Sequence, residues 1–105
     1  MADMDSLRRN TDLRFEIDRI IEDMKQRKYP PQYFMRALGW PTADDEELLD
    51  SAKALLRNPG GQVAAFEYKR RYGDGLTLED VVIARGASLA FSIDDIELAR
   101  HTLGV

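Results

Sequence analysis

The residues whose types and spacing could do chemistry begin with Glu97 and His101, four positions apart near the C-terminus. On a helix this spacing places the carboxylate and the imidazole on one face, where they could transfer a proton or begin a metal site. His101 is the only histidine, and the chain has no cysteine. A metal site needs further ligands, and a catalytic triad needs a nucleophile paired with its base. We therefore interpret the pair as a surface contact and predict no metal, no cofactor and no catalytic residue.

Acidic residues concentrate between Asp44 and Asp50, and glycines concentrate at 59–61 and 73–75. A calcium loop alternates its oxygen ligands around a glycine, whereas this acidic run is contiguous and enters a predicted helix. Neither glycine cluster continues as a phosphate-binding loop or as a dinucleotide fingerprint. We interpret the acids as charges that match the positive end of a helix dipole, and the glycines as turns between helices.

Lys69, Arg70 and Arg71 lie between Tyr68 and Tyr72, and such interleaving can follow phosphates while the rings stack on bases. Three consecutive cations on a helix, however, point in directions about 100° apart. The net charge of −4 is also opposite in sign to that of a general nucleic-acid binder. We keep a nucleic-acid-associated protein as an alternative and do not expect nucleic acid to be the main partner.

Several aromatic side chains fall off the predicted apolar faces. Phe15 lies opposite the apolar stripe of its helix, and Tyr68 and Tyr72 share a face opposite Val63 and Phe66. Aromatic residues and arginine are enriched where proteins contact one another. Packing in the core is the competing interpretation, and for Trp40 it is the favoured one. The predicted partner-binding residues are Phe15, Tyr33, Trp40, Tyr68, Lys69, Arg71 and Tyr72.

These observations predict a non-enzymatic protein-interaction module, an adaptor, regulator or inhibitor that binds another protein or a second copy of this chain. A further alternative is an accessory or stabilising subunit of an enzyme complex, docked through the second helix and Trp40. The N-terminus lacks the pattern of a secretory signal, and no apolar run approaches the roughly 20 residues of a membrane helix. We expect a small, acidic, cytoplasmic protein that does not associate with membranes.

Prolines and glycines divide these 105 residues into segments of helix length. The expected fold is all-α: one compact domain over 11–105, an irregular bundle of five or six short helices, preceded by a flexible segment over 1–10. Val81-Val82-Ile83 favours a strand, which remains the alternative for the fifth segment. The predicted helices span about 12–28, 31–38, 42–57, 62–72, 78–91 and 92–103.

Hydroxyl and amide side chains at the start of these segments are typical helix caps. Asn10 or Thr11 is expected to cap the first helix, and Thr42 the third. Thr77 and Ser92 each stand three residues before an aspartate, a spacing that resembles the capping box of reciprocal side chain and backbone hydrogen bonds.

Overall fold

The computed structural model describes the backbone of residues 4–105 and the side chains of residues 12–105. This part of the chain contains no strand, and the predicted all-α fold of one compact helical domain is confirmed. Its elements are α1 (Met4–Gln26), α2 (Gln32–Leu38), α3 (Asp45–Arg57), α4 (Pro59–Arg71), α5 (Leu78–Arg85), a 3₁₀ turn (Gly86–Leu89) and α6 (Ile93–Leu103).

Helix α1 begins at Met4, eight residues before the predicted start. The caps predicted at Asn10 and Thr11 are therefore wrong, because both residues lie inside the helix. No proline or glycine interrupts residues 4–11, so nothing in this part of the sequence stops the helix. The predicted flexible segment falls in part on residues 1–3, which lie outside the described residues.

The apolar stripe of α1 forms one side of the core, as its spacing predicts. Its members pack against α3, α5 and the 3₁₀ turn, and each is buried. Phe15, on the opposite side of the helix, has 62% of its surface exposed. The buried members are Leu13, Ile17, Ile20, Ile21 and Met24.

Helices α3 and α4 meet at Asn58, which ends the first and caps the second by accepting a hydrogen bond from the Gly61 N–H at 3.1 Å. Helix α4 starts at Pro59 and not at Gln62, because proline suits the first helical position. The cap of α3 is Asp44 and not Thr42: its carboxylate accepts from the Glu47 N–H at 2.8 Å.

Helix α5 lies in the middle of the bundle and packs against α1, α3 and α6. The strand alternative is wrong because a helix that is surrounded by neighbours can be apolar on most sides. Leu78, Val81 and Val82 are all buried. The helix ends at Arg85, and a 3₁₀ turn replaces the predicted continuation to residue 91.

Both predicted capping boxes are present. The Thr77 hydroxyl accepts from the Asp80 N–H, and the Asp80 carboxylate accepts from the Thr77 N–H. Ser92 and Asp95 repeat the arrangement at the start of α6, with distances of 3.1 Å and 2.8 Å. The two boxes fix the direction in which the chain enters α5 and α6.

Ser92→Ala is expected to lower the free energy of unfolding by about 1 kcal/mol, because the Asp95 N–H loses its acceptor. Urea unfolding followed by circular dichroism measures the change. Ser88→Ala is the matched control: its exposed hydroxyl donates to the Arg85 carbonyl within a turn, and its removal should change stability by less than about 0.5 kcal/mol. Equal effects of the two substitutions would contradict the role of the cap.

Candidate ligand-binding cavity

A cavity of about 560 Å³ lies between the start of α2, the first turns of α4 and the start of α5. Such a volume falls within the range of small-molecule and side-chain pockets, roughly 300–1,000 Å³. Pro30, Tyr33 and Gly60 are exposed and mark the mouth. The lining residues are Met24, Tyr29, Pro30, Tyr33, Phe34, Leu55, Gly60, Gly61, Ala64, Ala65, Thr77, Leu78 and Glu79.

Small residues in α4 leave the room for this cavity. Gly60, Gly61, Ala64 and Ala65 form its wall over the first two turns of the helix. A Cβ atom at Gly61 would stand 2.8 Å from the Leu55 carbonyl oxygen, so only glycine permits α4 to approach the end of α3 this closely. The close contact between α3 and α4 therefore fixes the shape of the cavity at its mouth. Large side chains form the opposite wall.

Glu79 is the one charged residue that lines the cavity. It is 3% exposed, and among the described residues no cation pairs with it. Burial raises the pKa of Glu79 to about 7, a hydrogen bond from its own backbone N–H opposes the rise, and neighbouring Asp80 adds to it. The change in its protonation therefore falls near neutral pH.

The other two buried carboxyl groups of the described chain have arginine partners. Glu16 contacts Arg85 at 2.7 Å and Arg19 at 2.9 Å. An Asp95 oxygen lies 2.6 Å from the Arg57 guanidinium. Buried charges are normally paired, because an isolated charge loses its hydration without compensation. Among the described residues, Glu16 and Asp95 meet this condition, and Glu79 does not.

Tyr29 connects the cavity to a cluster of tyrosines. Its ring packs edge-on against Tyr68 at 5.0 Å and Tyr72 at 6.4 Å between centroids. The Tyr68 hydroxyl donates to Asp23 at 2.6 Å, and burial together with this carboxylate raises the pKa of Tyr68 above its usual value. The same Asp23 oxygen accepts from the Leu76 N–H at 2.9 Å, so one carboxylate joins α1 to the end of α4 and to the segment before α5.

Two guanidinium groups flank the Tyr72 ring. Arg27 lies 5.2 Å and Arg71 5.1 Å from the ring centroid. Arg27 is held in place by Asp23 and Asp74, whereas Arg71 is exposed. We call Tyr72, Arg27 and Arg71 the arginine–tyrosine rim; it joins the cavity wall through Tyr29.

The structure corrects the predicted face of α4. Tyr68 is 2% exposed and belongs to the core, so its assignment to a partner-binding surface is wrong. Val63 and Phe66, which were expected to face inward, are 62% and 48% exposed. The helix packs through Gly61, Ala65 and Tyr68, whose 4-3 spacing defines one face.

Lys69 is not a free surface cation either. Its ammonium donates to the Gly75 carbonyl at 2.8 Å and lies 3.3 Å from an Asp80 oxygen. It therefore holds the end of α4 against the start of α5. Of the predicted basic cluster, only Arg70 and Arg71 remain exposed.

The remaining predicted site residues are dispersed. Tyr33, 54% exposed, stands at the mouth of the cavity with its hydroxyl over Gly60. Trp40 is half-buried against the core, and the Arg14 guanidinium lies 5.5 Å from its ring. Phe15 is exposed on α1, and no aromatic or cation–π contact among the described side chains joins it to the others.

Glu79 did not stand out in the sequence, because an acid after a capping threonine is explained by the helix dipole. A signal was nevertheless present. Glu79, Val82 and Gly86 follow one another at 3-4 spacing, which puts the carboxyl on the inward face of α5. A charged residue at an inward position is the feature that sequence reasoning passed over.

Among the described side chains, no group of three or more histidine and acidic residues is placed to hold a metal ion. None of the helices in residues 4–105 has the length and apolar character needed to cross a membrane. A comparison of the chain with protein-family models, with curated proteins and with solved structures found no match.

Proposed function

We propose that this chain is a non-enzymatic protein-interaction module that takes a side chain of another protein into its cavity. The exposed Tyr33 and the arginine–tyrosine rim would contact the partner around the inserted side chain. The observation that carries the proposal is the open, largely apolar cavity, which adjoins a tyrosine flanked by two guanidiniums.

The chemistry of the lining supports binding more than catalysis. The cavity holds one carboxyl group, two phenols and the hydroxyl of Thr77, and no histidine or lysine. The Thr77 hydroxyl donates to Asp80 at 2.9 Å and is therefore engaged in the helix cap. A nucleophile activated by a neighbouring base is absent from these lining residues, and acyl or phosphoryl transfer needs such a pair.

The rim has the properties of a contact surface that is ordered before binding. Arg27 is fixed by two aspartates, and Tyr72 is fixed by packing against Tyr29 and Tyr68. Side chains that are already ordered lose less conformational entropy when a partner binds. Tyrosine and arginine are also the residue types that dominate binding energy at protein interfaces.

Ala64→Phe tests the proposal by filling the cavity. Tagged wild-type protein and variant are used for affinity purification from the source organism, with quantitative mass spectrometry. We expect a partner held by the wild type to fall at least tenfold with Ala64→Phe. The control is Ala54→Phe, which adds the same volume on the exposed face of α3 and should retain the partner.

Equal capture by the wild type and Ala64→Phe would contradict the proposal. Circular dichroism must show that both variants keep the helical fold. An enzyme chain that is retained at fixed stoichiometry would favour the accessory-subunit alternative over a free-standing regulator.

A further inference from the structure

We infer that the cavity is a site for an alkylammonium group, with Glu79 as its counter-ion and the rings of Tyr29, Tyr33 and Phe34 around it. The ammonium belongs to a lysine side chain of the partner. This choice of source rests on the proposed function. The charged end of such a side chain would reach Glu79, and its methylene stem would lie along the apolar wall.

The pairing of buried carboxyl groups is the first argument. Glu16 and Asp95 have arginines within 3 Å, and Glu79, equally buried, has none among the described residues. Lys69 lies beside the start of α5, but its ammonium is bound to Asp80 and to the Gly75 carbonyl. A cation from outside the chain would pair with the buried carboxylate that has no cation partner in the described part of the chain.

The walls provide the second argument. An ammonium group is attracted to the faces of aromatic rings, and the attraction grows when water is excluded. The rings of Tyr29, Tyr33 and Phe34 line the cavity near the start of α2. The side chains of Met24, Leu55 and Leu78 form the rest of its large apolar surface. A lysine side chain has the matching arrangement of an apolar stem and a compact charge.

The alternative occupant is a neutral group that accepts a hydrogen bond from protonated Glu79. The two ligand classes differ in the sign of their pH dependence. The ionisable groups beside Glu79 are Asp80 on the same helix and the phenols of Tyr29 and Tyr33 across the cavity. Because the pKa of Glu79 is about 7, its carboxyl changes from mostly protonated to mostly ionised between pH 6 and 8.

The test is a titration of the purified protein, followed by NMR, with Nα-acetyl-lysine methylamide, n-hexylamine and n-hexanol. We expect both amines to bind at least tenfold more tightly than the alcohol. Their affinity should rise about tenfold from pH 6 to pH 8, because the ionised fraction of Glu79 rises by that factor. Glu79→Gln should remove this preference and this pH dependence.

Glu97→Gln is the matched control, since it removes one negative charge at an exposed position and should leave amine binding unchanged. Equal binding of alcohol and amine, amine affinity that falls with rising pH, or unaltered binding by Glu79→Gln would overturn the inference. Binding of hexylamine without the lysine derivative would support the ammonium site and overturn the lysine source. If the partner is lost with Ala64→Phe but kept with Glu79→Gln, the proposed function stands and this inference fails.

Discussion

Glu79→Gln is expected to raise the free energy of unfolding by about 3 kcal/mol at pH 8 and by less than about 1 kcal/mol at pH 5. The carboxyl is 3% exposed and has no cation beside it among the described residues. Glutamine keeps the shape of the side chain and cannot ionise. The variant therefore removes only the unfavourable free energy of a buried negative charge.

The sign follows from the direction of the pKa shift. The pKa of Glu79 is about 7 in the folded chain against an ordinary value of 4.5, so the folded state binds the proton more tightly. Stability contributed by this group is fully present below pH 4.5 and is lost as the pH rises through 7. The difference of about 2.5 pH units corresponds to about 3 kcal/mol.

Urea unfolding at several pH values between 4.5 and 8.5 measures the effect. Asp23 and Asp95, whose pKa values are lowered by hydrogen bonds and arginine partners against the opposing effect of burial, act in the other direction. Their contribution is complete above the ordinary aspartate pKa and is lost only as the pH falls below it. A decline between pH 5 and 8 that persists in Glu79→Gln would show that another group causes it.

The same experiment bears on the ammonium site. A bound cation stabilises ionised Glu79, so saturating hexylamine should restore part of the stability that the wild type loses at pH 8. The Glu79→Gln variant has no carboxylate to compensate and should gain less. The unfolding experiment and the binding experiment therefore both report on the ionised carboxyl group of Glu79.

The starts of α5 and α6 were predicted correctly from the sequence, whereas the starts of α1 and α4 and the cap of α3 were not. Thr77 and Ser92 define the two starts that were predicted. Capping depends on residues within about three positions of one another, and so its signal is contained in a short segment. The all-α class follows from the same local signals together with the apolar periodicity of α1 and α3.

The faces of α4 could not be predicted in this way. Gly61 and Ala65 are small and add little hydrophobicity to the sequence pattern, yet they form the inward face. Val63 and Phe66 are strongly apolar, yet they are exposed. Tyr68 faces inward, where its hydroxyl donates to Asp23, a residue 45 positions away in the sequence. The cavity depends on contacts between residues that are far apart in the sequence. It could therefore not be predicted from the sequence.

Asp23→Ala is expected to lower the free energy of unfolding by about 3 kcal/mol. The substitution leaves the buried Tyr68 hydroxyl and the Leu76 N–H without their acceptor, and each unsatisfied buried group costs about 1–3 kcal/mol. Arg27 also loses its partner within α1. Asp18→Ala, an exposed aspartate on the same helix, should change stability by less than about 0.5 kcal/mol.

A double-mutant cycle separates the hydroxyl contact from the rest of this network. Tyr68→Phe removes the donor and leaves Asp23 bound to Leu76 and Arg27, so it should cost about 1 kcal/mol. In the Tyr68→Phe background, Asp23→Ala no longer leaves a buried hydroxyl without an acceptor. The loss of stability in the double variant should therefore be about 1 kcal/mol smaller than the sum of the losses in the two single variants. Strict additivity would mean that Tyr68 is held by packing alone, and that Asp23 supports the wall of the cavity only through Leu76 and Arg27.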